Sequence, residues 1–471
     1  MLRERRRSRR TRIGALALGS ALLGLVTACT SGESPSVDPT PTPSSTSAAA
    51  SPSASDAPVT LRFAVYGGGE QVAAYRRLAS AFERRQPNVT VRVETAANAA
   101  TSWQEVERQL DAGRAPDVFL ADSDLLPQLV AGKRVQPVDE LLEQRDVEFG
   151  DTYERLGLEA FAADSALQCM PNDVSPYVVF YNRRLLDLSV TVPPGEPLPT
   201  PEVNGWSWRQ FALSAQAASR DGVQGVYLPP ELTTLAPLLR SAGADIVDDV
   251  QTPTTLTLAD GGSRATLEAI LQVARDPRVN PTPEQLLSQD AVTRFEKGRL
   301  AMMIGTRAMV PQLRRAGDLR FDAYPLPSFG RFQTIADVSG YCIPRGTQHV
   351  AEAADFLAFA SSNRGARITA RSGGVVPANL IALRSPAFAQ PGQFPVHVNV
   401  FTTVIRRAET MPNPPAWPAV VARTQPLLGR LFYDTVLDLD TQLPEIDKVS
   451  ATALAEPTAT PTPTQTTSPS G

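Results

Sequence analysis

The stretch "VTLRFAVYGGGEQVAAYRRLASAFERRQPNVTVRVETA", residues 59–96, constrains this chain more than any other. "VTLRFAVY" alternates apolar and polar residues as a strand does, and "GGG" breaks it. Val72, Tyr75, Leu78, Ala79 and Phe82 then recur at helical spacing, "QPN" stops the helix, and "VTVRVE" alternates again. Two strands joined through a helix are parallel, and a parallel sheet must be covered by helices. "TSWQEVERQLDAG" follows as a capped helix, "APDVFLAD" as a buried strand, and the alternation continues into "DLLPQLVAGKRVQPVDELL". The expected class is α/β, and the 59–450 stretch is long enough for two lobes. From about Phe394 onward the pattern is helical.

The two ends are of another kind. "MLRERRRSRRTR" carries seven Arg and one Glu, and a short apolar run follows. That is the pattern of a secretory signal, here 1–28, with Sec and twin-arginine export both open. The run ends in "VTAC", which resembles the bacterial lipobox and implies a lipid on Cys29. Residues 29–58 and 451–471 are dominated by Ser, Thr, Pro and Ala, too poor in apolar side chains to offset chain entropy, and are expected to be disordered. The expected arrangement is a soluble body on a tether at the outer face of a bacterial membrane.

The chain sums to −4, and because its first 28 residues are strongly basic the remainder is more acidic still. That balance argues against nucleic acid or anionic lipid as a partner of the body as a whole. The two histidines, His349 and His397, have no neighbour at metal-ligand spacing, and no "GxSxG", "HExxH" or phosphate loop occurs. No metal or cofactor is implied. The pair Asp122 and Asp124 leaves open a glycan hydrolase acting through carboxylates, although helix capping explains them as well. With Cys29 lipidated, Cys169 and Cys342 remain, either as one bridge or as two buried thiols.

Several passages in series resemble the sugar-type extracellular solute-binding proteins that serve ABC importers. They are "LASAFERRQPNVTV", "VERQLDAGRAPDVFLAD", "LVAGKRVQPVDELL", "MPNDVSPYVVFYNRRLL", "WSWRQFALSAQAAS", "FEKGRLAMMIG", "DAYPLPSFG" and "GYCIPRGTQHVAEAADFLAFASSNRGARI", followed by "GGVVPANL". The resemblance spans roughly 60–430. It implies a two-lobed periplasmic-binding-protein-like fold of the type II style, with hinge crossovers and a helical close. The first lobe would be 59–169 with 343–396, the second 170–342 with 397–450. It further implies a monomer that binds a sugar-like solute and partners an ABC permease, or a solute-sensing lipoprotein of the same fold. Cys169 and Cys342 then fall on neighbouring hinge strands, which favours the bridge.

Sugar recognition needs flat aromatic faces and convergent hydrogen-bonding groups. On the resemblance, candidate ligand residues lie at strand ends and crossings. They are Tyr66 and Gly68 after the first strand, and Asp122 and Asp124 after the third. Asn172, Asp173 and Tyr177 follow the first crossing, and Tyr227 ends a strand of the second lobe. Asp337 and Tyr341 lie beside the second crossing, and Trp417 in a late Pro-rich segment. Trp206 and Trp208 read as core packing. Arg307 departs from the family, which commonly places an aromatic there, and its guanidinium points to an acidic solute such as a uronic acid.

Overall fold

The structure, a computed structural model, describes residues 58–188, 205–220 and 222–456. The expected signal, the tether up to residue 57, Cys29 and the segment from 457 lie outside the described residues. Asp56–Gly471 forms one compact unit, within which the described residues build three apolar cores. No helix among the described residues is long and apolar enough to cross a membrane.

Strand β1 (Val59–Tyr66), helix α1 (Gly69–Glu83) and strand β2 (Val89–Ala96) form the expected unit, with β1 and β2 parallel from Val59↔Val89 to Tyr66↔Ala96. Gly67, at φ +130°, makes the turn into α1, a backbone conformation that other residues adopt only under strain. Helix α1 buries Tyr75, Leu78 and Phe82 against Phe63 and Phe356. Each such ring contributes roughly 1.5–3 kcal/mol by leaving water. Strand β3 (Val118–Asp122) joins the other edge of β1, again parallel.

Strand β4 (Cys169–Pro176) belongs to this larger sheet, whereas β5 (Val178–Asn182) lies in a second, four-stranded sheet. That smaller sheet runs β8 (Phe321–Tyr324), β5, β7 (Leu300–Gly305), β6 (Gln224–Tyr227). The chain returns through β9 (Thr334–Pro344), which pairs antiparallel with both β3 and β4. The lobe limits drawn at 169/170 and 342/343 therefore shift: the sheets exchange the chain at Tyr177, and between Tyr324 and Thr334. The two crossings are tied together, since Tyr177 N–H donates to Ile335 O at 2.9 Å and Thr334 Oγ1 donates to Tyr177 O at 2.8 Å.

Helix Trp208–Ala218 covers the smaller sheet and approaches β6 so closely that a Cβ on Gly225 would sit 1.8 Å from Ala215 O. Trp206 and Trp208 are buried, Trp206 donating to Pro325 O at 2.8 Å. Helices Trp417–Tyr433 and Leu439–Ala455 close the second lobe, supplying Leu428, Leu431, Leu443 and Ile446 to its core. The last helix continues to Ala455, so residues 451–455 are helical where a tail was expected. Ile446 and Ala453 bury one face of it, and Ser450 donates to Asp447 O.

Cys169 and Cys342 face each other across β4 and β9, with Cα atoms 4.5 Å apart, and are joined by a disulfide closing a 173-residue separation. Replacing both by Ser is expected to lower the unfolding free energy by about 2–5 kcal/mol. Urea melts of the two proteins check this, and coincident midpoints would contradict it.

Candidate functional site

Parallel strands bring their carboxyl ends to one edge of a sheet, and that edge is where β1 and β3 deliver Tyr66 and Asp122. The Tyr66 hydroxyl donates to the Asp122 carboxylate. Across the sheet Asp122 stands opposite Ser339 of β9, which in turn stands opposite Asp173 of β4. Asp337, two residues earlier on β9, accepts from the hydroxyl of Tyr177 at the crossing. Three carboxylates and two phenols thus meet where the chain passes between the sheets.

Two of them, Asp122 and Asp337, line a cavity of about 1440 Å³ that draws on both lobes. Asp122, Asp124 and Asp337 line it from the larger sheet, Glu231 and the 250–254 loop from the other side. The "TMPNPP" loop and Trp417, first residue of its helix, form a further wall. Asn413 in that loop donates to Ser123 O at 2.8 Å. Among the described residues the lining holds five carboxylates, with Glu159 the fifth, and no Arg, Lys or His.

The loss of bulk water around these groups governs their protonation. It pushes Asp122 up to about 6, against the Tyr66 hydrogen bond that stabilises its anion. It pushes Asp173 up to about 7 despite donors from Val376 N–H and Ser175. It raises Asp337 too, with the Asp122 charge adding to the rise, although the Asp337 side chain keeps an exposed face in the cleft. Tyr66 and Tyr177 are raised by the same burial and the carboxylates they face.

Of the candidates drawn from sequence, Asp122, Asp124, Asp337 and Trp417 line the cavity, and Tyr66 and Tyr177 hold two of those carboxylates. Asp173 sits just behind, held by Val376 N–H at 2.7 Å. The others are elsewhere. Asn172 and Tyr341 are buried, with the Tyr341 hydroxyl donating to Asn172 Oδ1 at 2.7 Å and Asn172 Nδ2 donating to Tyr75. They are polar pins in the core, because alternate β9 and β4 residues point away from the cleft. Gly68 is the exposed N-cap of α1, and Tyr227 packs beside the second core cluster. Arg307 is wholly buried, its guanidinium 4.1 Å from the Phe388 ring and donating to Phe388 O at 2.7 Å. Burial first, then Arg314, lowers it to about 9. It does not reach the cavity, so the argument for an acidic solute falls. Sequence reasoning missed Glu231 and Asn413; Glu231 directly follows "YLPP" at the end of a lobe-two strand, the same strand-end signal that marked Asp122.

The profile of the bacterial extracellular solute-binding proteins matches residues 77–396, more than half of the chain. The chain belongs to that family. No curated protein sequence matches it. Among solved structures, the ABC substrate-binding protein Lmo0181 from Listeria monocytogenes, in complex with cycloalternan, superposes with a TM-score of 0.73 at 17% identity over 84% of this chain and 99% of that one. The GacH receptor of Streptomyces glaucescens, solved unliganded and with acarbose, gives 0.69 at 16% identity over 84% and 98%. The maltotriose binding protein of Thermus thermophilus, bound with maltotriose, gives 0.67 at 17% over 84% and 100%. At these identities the likeness is one of fold, the two-lobed α/β architecture with its helical close.

The raised carboxyls of this solute-binding protein make its stability depend on pH. The native state holds these protons more tightly than an unfolded chain, whose carboxyls titrate near about 4. Their contribution is therefore present at about pH 4 and is lost as pH rises through about 6 to 7. The ligand-free melting temperature is expected to fall between about pH 5 and 7.5, and Asp173→Asn to flatten that slope in scanning calorimetry. An equal slope in the variant would refute the assignment.

Proposed function

We propose that this chain is a membrane-anchored receptor that captures a carbohydrate or related polar solute and hands it to an ABC import permease. The observation that carries the reading is the inter-lobe cavity of about 1440 Å³ in a chain of the solute-binding family. Asp122, Asp124, Asp337 and Glu231 offer acceptors for hydroxyl groups, and Trp417 a flat apolar surface for a ring face. The names of the structural neighbours, which record cycloalternan, acarbose and maltotriose, support a sugar-like solute. No bond is made or broken in this role; the solute selects the closed arrangement by the contacts it gains there. A lipid on Cys29 would keep a monomeric receptor beside its transporter.

The charge of the lining decides between solute classes. Carboxylates without a cation repel an anionic ligand, so the cleft favours a neutral or positively charged solute over a uronic acid. Calorimetric titration against neutral oligosaccharides, amino sugars and uronic acids tests this. A neutral or amino sugar is expected to bind saturably and raise the melting temperature, by about 2.7 kcal/mol of stabilisation at one hundred times its dissociation constant. Asp337→Ala is expected to weaken that binding by about 0.5–3 kcal/mol, the range from a neutral to a charged hydrogen bond, with the larger loss at alkaline pH where its carboxyl is ionised. Tight binding of a uronic acid, or of none of the panel, would overturn the reading.

A further inference from the structure

Helix α1 turns its apolar side to the sheet, and helix Asn363–Ala370 packs alongside it. Between the two, on the outer flank of the first lobe, lies a surface cavity of about 670 Å³. Six arginines line it: Arg76, Arg77 and Arg84 at α1, and Arg364, Arg367 and Arg371 at the second helix. Among the described residues no carboxylate lines it. None of the six has an ion-pair partner among the described residues. Arg367 Nε, a donor, and Asn363 Oδ1, an acceptor, are buried there without any hydrogen-bond partner. On a chain that is net acidic, six unpaired guanidinium groups at one place repel one another and call for an external anion.

The position of the patch says which anion. Arg84 caps the end of α1, four residues before Asn88, whose carbonyl accepts from Val59 N–H at the first residue of β1. The patch therefore reaches the edge of the sheet where the chain enters the body, opposite the strand ends that carry Asp122. It is also broad, running along two helices. We infer that this flank docks the body on an anionic phospholipid surface. Phosphate oxygens pair with the exposed arginines. The solute cleft, at the other end of the strands, stays uncovered. The inference draws on the anchored-receptor reading only for the presence of a membrane nearby.

Co-sedimentation of residues 56–471, which lack Cys29, with vesicles of phosphatidylcholine alone or with about 30% phosphatidylglycerol tests the docking without any anchor. Binding is expected only to the anionic vesicles, and is expected to fall away as salt shortens the screening length from about 15 Å towards 3–5 Å. R76E/R84E/R364E is expected to lose on the order of 100-fold in affinity, at about fivefold for each arginine removed. The charge-matched control R114E/R184E/R315E, at exposed positions elsewhere, is expected to stay within a few-fold. Equal loss in the control, salt-independent binding, or no binding to anionic vesicles overturns the docking. So does saturable binding of soluble glycerol 3-phosphate without vesicle binding, which would assign the patch to a soluble anion. The wild-type salt series keeps the test decisive if a variant misfolds. Solute titration of the same protein is read separately, so the receptor reading and the docking fail independently.

Discussion

Strand β9 pairs with β3 on one edge and with β4 on the other, and the acidic side of the cleft formed by the first lobe is registered against it. Because side chains alternate along a strand, Asp337 and Ser339 face the cleft side while neighbouring positions feed the core. The register shifts between Ser339 and Gly340, where a Cβ would sit 2.6 Å from the Phe161 ring. Beyond that bulge Tyr341 turns into the core to reach Asn172, and Cys342 meets Cys169. One strand thus fixes the acidic row, the polar pin and the covalent bridge together.

Much of the fold was legible because it depends on local periodicity. The helix carrying Tyr75, Leu78 and Phe82 and the strands flanking it follow from spacing alone. The cavity lining was legible where it lies at a strand end, as with Asp122 and Asp124, or beside a crossing, as with Asp337. It was misread where facing mattered: Asn172 and Tyr341 lie next to cleft residues in sequence, yet alternation and the β9 bulge send them inward. Arg307 misled for another reason. A guanidinium is normally wet, and only the tertiary placement of Phe388 and Phe401 over its faces explains why this one is dry. Glu231 and the loop around Asn413 reach the cavity through long-range packing that no short motif records.

The charges of the body are sorted by place rather than mixed. Carboxylates gather around the cleft, Asp122 and Asp124 at the end of β3, Asp337 on β9 and Glu231 across from them, while unpaired arginines lie along the outer flank of α1. Asp122, Asp124, Asp337 and the arginines all belong to the first lobe, so one sheet and its covering helices carry most of both fields. Two fields of opposite sign thus face different sides of one lobe.

The bond from Asn413 to Ser123 O joins the loop leading into the second lobe's helix to the end of β3 in the first. A single neutral hydrogen bond contributes about 0.5–1.5 kcal/mol net. It can shift a balance between shut and gaping forms by only a few-fold to about tenfold. So weak a clasp leaves both forms within reach of one another. On the receptor reading proposed above, the contacts of the bound solute, and not the clasp, would set how long the lobes stay shut.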